Sequence, residues 1–105
     1  MDRKDIERKI RNYGLDVTKP LAGSPFEYLE TLGLRSEFQE YINEFTEADK
    51  RALREYDAAL VKRASEFVKF MHDEMMVWNN DKPLSHWWWH LDKVASGELE
   101  AKMLA

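Results

Sequence analysis

Apolar residues recur along this chain at intervals of three and four, and no stretch holds a period of two. That spacing gathers them on one side of a helix, whereas a half-buried strand needs alternation. The first stripe is Ile6, Ile10 and Tyr13 in residues 2–13, ahead of Gly14, which reads as a helix stop. Residues 14–24 contain Pro20, Gly23 and Ser24 and read as a loop, with Leu15, Val17 and Leu21 available to pin it to a core.

Ser24-Pro25-Phe26-Glu27 then combines an N-cap serine, a proline at the first helical position and a glutamate placed for a capping box. The helix it opens should bury Phe26, Leu29 and Leu32 and stop at Gly33. Ser36-Glu37-Phe38-Gln39 repeats the box and predicts a second short helix with Phe38, Tyr41, Ile42 and Phe45 as its stripe. Thr46 and the acids after it open the longest helix, over 46–78. Its stripe is Leu53, Tyr56, Leu60, Ala64, Phe67, Met71, Met75 and Trp78, and its last third broadens with Val68, Phe70, Met76 and Val77. Residues 79–82 make a turn, Pro83 begins a final helix over 83–96, and Gly97 closes it. The tail through Leu99, Met103 and Leu104 either continues as a short helix or frays. The whole predicts an all-α fold in one domain, 1–105. It is a small irregular or orthogonal bundle of four to five helices around one long central helix.

Composition narrows the function more than it changes this picture. The chain has 105 residues, 44% of them hydrophobic, enough for one core. A net charge of −4 argues against a general phosphate-backbone binder. The absence of cysteine removes disulfides, thiolate metal sites and cysteine nucleophiles. A charged N-terminus without an apolar run predicts a cytoplasmic protein, and no segment approaches a membrane span. There is no GxGxxG, Walker A or GxSxG pattern, which points away from an enzyme, and no cofactor is expected.

The unusual chemistry lies at His86-Trp87-Trp88-Trp89-His90. Successive residues of an α-helix sit about 100° apart, so three tryptophans cannot share one face. On a helical projection Leu84, Trp87, Trp88, Leu91, Val94 and Ala95 form the apolar side, and His86, Trp89, His90 and Lys93 fall near the opposite side. Trp89 is therefore the indole expected outside the main stripe. The i, i+4 histidines have the spacing of a helical metal site. His72, Asp73 or Glu74 of the long helix, or Asp92, could complete it. Asp57, next to the apolar stripe, needs a partner if buried, with Arg54, Arg63 or a histidine as candidates. With His72, Glu74 and His90 it could otherwise form an acid/base cluster.

Three functions follow as expectations. The first is a non-enzymatic interaction module, able to self-associate, that binds a protein partner or a second copy through His86, Trp89, His90, Lys93, Met76 and Trp78. The second is a metal- or small-ligand-binding protein built on His86, His90, His72 and Glu74. The third is a nucleic-acid-associated regulator using the basic segment with Arg3, Lys4, Arg8, Lys9 and Arg11.

Overall fold

A computed structural model describes residues 2–78 and 81–101, with the side chains of 72–78 outside the description. Every element among the described residues is helical. In order they are α1 (Arg3–Thr18), α2 (Pro25–Glu40), a 3-10 turn (Ile42–Glu44), α3 (Glu47–Lys62), α4 (Ala64–Trp78), a second 3-10 turn (Trp87–Trp89) and α5 (Leu91–Ser96). The all-α class is as the spacing requires, and no described helix is long and apolar enough to cross a membrane.

The apolar stripes are where periodicity puts them. Ile6, Ile10, Tyr13 and Val17 of α1, Leu29, Leu32 and Phe38 of α2, and Leu53, Leu60, Ala64, Phe67 and Met71 of α3 and α4 are buried together. Edge-to-face ring pairs link the layers, Tyr13 with Phe38 at 5.8 Å and Tyr28 with Phe67 at 5.5 Å. Ion pairs stitch α1 to its neighbours, Arg3 to Asp49 at 2.7 Å and Lys9 to Glu37 at 2.7 Å.

The helix boundaries differ from the sequence reading in a consistent way. Gly14 does not stop α1, which runs on to Thr18. The Tyr56 ring lies against the Gly14 backbone, and a Cβ there would overlap it. Gly14 is a point of close approach between α1 and α3. Gly33 does not stop its helix either, and the two short helices expected over 24–45 are one, α2. A single glycine in a helix costs about 1 kcal/mol, less than the buried Leu29, Leu32 and Phe38 return. Ser24 caps α2, accepting from the Phe26 N–H at 3.2 Å, without the reciprocal Glu27 bond of the expected capping box. Phe26 itself is 64% exposed rather than buried, because it sits in the first turn beyond the edge of the core.

The long helix expected over 46–78 is two. Thr46 and Asp49 form a reciprocal capping box at its start. Arg63 then leaves helical geometry (φ −101°, ψ 14°). Its guanidinium Nη1 donates to the carbonyls of Val17, at 2.6 Å, and Lys19, at 2.9 Å, covering the open end of α1. The break re-aims α4, which kinks again at Met71 (φ −110°, ψ 15°). Met71 is nonetheless fully buried and continues the row of Leu60, Ala64 and Phe67.

Candidate functional site

Pro83 starts a turn rather than an α-helix, and the tryptophan run lies on a 3-10 turn. This corrects the projection on which Trp89 faced away from the core. A 3-10 turn has about three residues per turn, so three consecutive side chains radiate in three directions. Here all three are enclosed, Trp87, Trp88 and Trp89 being 2%, 1% and 4% exposed. The turn packs on α2, and Ser36 is the anchor: its Oγ accepts from the indole Nε1–H of Trp88 at 2.8 Å and of Trp89 at 2.7 Å. A hydroxyl oxygen has two lone pairs, and both are used. The serine that read as an N-cap is thus an acceptor in the middle of α2.

Beneath the tryptophans lies a buried polar centre. Arg35 and Asp57 have 1% and 0% side-chain exposure. The Arg35 Nε donates to Asp57 Oδ1 at 2.9 Å and its Nη2 to Oδ2 at 3.0 Å, a two-pronged pairing. The Tyr13 hydroxyl donates to Oδ1 at 2.7 Å. Arg35 Nη1 reaches Gln39 Oε1 at 3.3 Å, and the guanidinium carbon lies 4.2 Å from the centre of the Trp88 ring. Asp57 therefore has the internal partner its position demanded, but it is Arg35, not Arg54, Arg63 or a histidine. Burial raises the Asp57 carboxyl above its ordinary value, against the opposing pull of Arg35 and the Tyr13 hydroxyl. Burial and the neighbouring Asp57 charge push the Tyr13 phenol well up.

The histidines separate. His86 stacks on Trp88, with ring centres 4.7 Å apart and planes at 17°. Burial and the nearby Arg35 and Lys82 charges lower its proton affinity. His90 is 3% exposed, and its Nε2 meets the Lys82 carbonyl at 2.9 Å. A carbonyl only accepts, so Nε2 is the donor in that contact. His90 Nδ1 and Trp87 Nε1 are the two buried side-chain polar atoms without a hydrogen-bond partner among the described residues. His86 and His90 flank the 3-10 turn rather than sitting one turn apart on an α-helix, so the helical i, i+4 spacing of a metal site is not formed. No group of three metal-ligating side chains occurs among the described residues. His72 and Glu74, and with them Met76 and Trp78, lie outside the described side chains.

The basic segment is largely paired within the chain. Arg3 meets Asp49 and Glu7, Arg8 meets Asp5, and Lys9 meets Glu37. Lys4 and Arg11 stay exposed.

Outside the tryptophan turn the surface opens. A cleft of about 210 Å³ is lined by Leu84, Ser85, Trp87, Leu99 and Glu100. Leu84 is 54% exposed beside it, although the helical projection put it on the apolar side. Leu99 is half-buried, and its N–H donates to the Lys93 carbonyl at 3.1 Å just past the left-handed Gly97 (φ 85°). Sequence reasoning missed Arg35 and this cleft. Arg35 was within reach, because it falls on the Leu32 and Phe38 stripe of one continuous helix. Compared with protein-family models, curated proteins and solved structures, the chain matches none of them.

Proposed function

We propose that the protein is a non-enzymatic helical interaction module that engages a protein partner through the face made by Leu84, Ser85, Trp87, Leu99 and Glu100, with His86 and Lys93 beside it. The observation that carries this reading is Leu84, an apolar side chain 54% exposed over a cleft whose floor is a buried indole. An aromatic floor with an apolar wall is the anatomy of an interface anchor point. Trp88, Trp89 and His90 act from underneath, holding the turn in place. The enclosure of Asp57, Tyr13 and Arg35 supports a structural role for the charged centre, since a reacting group must be reachable.

A photo-cross-linking side chain placed at Ser85, on the rim, tests the reading inside the cell of origin. The expected result is a discrete adduct that disappears when Leu84→Lys is added, with no such adduct from the same probe at exposed Ala58 on α3. Equal adducts from both positions, or an adduct indifferent to Leu84→Lys, would contradict it.

A further inference from the structure

The outward side of α1 carries a second unused surface. Lys4, Arg8, Arg11 and Leu15 are all exposed, and their spacings of four, three and four keep them within about 60° of arc on the helix. This stripe lies opposite the buried Ile6, Ile10, Tyr13 and Val17. Leu15 is 59% exposed. Arg8 is held by Asp5 at 3.1 Å, whereas Lys4 and Arg11 have no ion-pair partner among the described residues. The stripe therefore offers cations running into one apolar side chain.

The cleft at Leu84 has the complementary character. Its walls are Leu84 and Leu99, its rim carries Glu100, and Glu98 is exposed next to it. Neither glutamate has an ion-pair partner among the described residues. Within one chain α1 packs on α2 and α3, while the 84–101 region packs on α4, α3 and α2. Both patches remain exposed, so neither covers the other.

We propose that the occupant of the cleft is the α1 stripe of a second copy of this chain, with Leu15 seated between Leu84 and Leu99 and Arg11 against the Glu98 and Glu100 carboxylates. This rests on the cleft being the interaction face, as argued above, and names its partner. Stripe and cleft are different surfaces, so the contact is head-to-tail and leaves a free patch on each copy. One leucine in one small cleft makes a small interface, which places the association in the weak class, seen at high concentration. Exposed charges carry part of it, so raising the salt concentration weakens it.

Sedimentation equilibrium at high protein concentration and low salt tests this through complementation. The wild-type chain should show an average mass above the monomer that falls with added salt. Arg11→Glu with Leu15→Glu should be monomeric, and so should Leu84→Lys. Mixing these two variants should restore a dimer that grows no further, because one intact stripe then meets one intact cleft. All these positions are exposed, and far-ultraviolet circular dichroism checks that each variant is folded; Leu15→Ser and Leu84→Ser are the milder replacements if one is not. A wild-type chain that stays monomeric, or a mixture that stays monomeric, overturns the proposal. If the stripe variant associates like wild type and only Leu84→Lys does not, α1 is not the occupant, but the interaction face stands. If Leu84→Lys also associates like wild type, the contact lies elsewhere and the face falls with it.

Discussion

The Arg35 centre and the Leu84 cleft lie on either side of the tryptophan turn, and they invert the usual expectation of where a small domain keeps its chemistry. Arg35, Asp57 and Tyr13 look like a catalytic constellation, but they are enclosed and bonded to one another. The cleft is open to solvent and ends in an exposed leucine. A buried charge pair whose bonds are satisfied is a structural device that selects one arrangement of α1, α2 and α3. An exposed apolar side chain beside an indole floor is a surface left for something else.

Breaking the centre should cost most. Asp57→Ala leaves the Arg35 guanidinium buried without its carboxylate and should destabilise the fold by about 3–5 kcal/mol, measured by urea unfolding. Arg35→Met with Asp57→Leu should recover much of that loss, because replacing both charges by apolar groups removes the unpaired ion. If the double variant is no more stable than Asp57→Ala, then Arg35 does more than balance Asp57.

Next in size is a pair of glycines that should respond with opposite sign. Gly14→Ala drives a methyl group into the Tyr56 ring and should cost about 1–3 kcal/mol. Gly33→Ala meets nothing within 4 Å and should stabilise α2 by about 0.5–1 kcal/mol. Thermal unfolding of the two variants side by side checks both signs.

The pH response separates the centre from the turn. Tyr13 holds its proton more tightly in the folded chain than the ordinary value near 10. Above that pH the unfolded chain loses this proton first, so stability should fall as pH rises, and Tyr13→Phe should remove that part of the fall. His86 is shifted the other way and binds its proton less tightly when folded. Its contribution should be lost as pH drops below about 6.5 and regained as pH rises through the window beneath it. This effect is small. Exposing three buried indoles costs on the order of 10 kcal/mol, far more than protonating one partly buried imidazole supplies, so mild acid should not release the turn. Tryptophan emission followed from pH 5 to 8, with His86→Gln as the control, checks this (the pH values are about one and a half units either side of the ordinary histidine value).

The smallest stability effect belongs to the cleft. Leu84→Ser should change unfolding by less than about 0.5 kcal/mol while weakening association, since an exposed side chain contributes little to the fold. A large loss of stability would place Leu84 in the core rather than at an interface.

The rows of buried residues were legible because packing follows periodicity, from Ile6 through Tyr13 and from Leu53 through Met71. The boundaries were not, because a glycine or a serine has several uses. Gly14 serves a close contact, Gly33 is tolerated, and Ser36 accepts two indole bonds from residues more than fifty positions away. No local pattern records such a partner. The helix break at Arg63 is likewise tied to the end of α1, 44 to 46 positions earlier. At the candidate site the tryptophan run was recognisable, but its exposure was not. A 3-10 turn and an α-helix place the same three residues on different sides, and the choice between them is made by packing against α2.

The most direct measurement is a dilution series of the isotope-labelled chain followed by amide chemical shifts, from high to low concentration at low salt. The expected result is concentration-dependent shifts confined to two separate patches, residues 4–15 on α1 and residues 84–85 with 98–100 at the cleft, both vanishing in Leu84→Lys. Shifts that map to neither patch, or a spectrum unchanged by dilution, would contradict the pairing of these two surfaces.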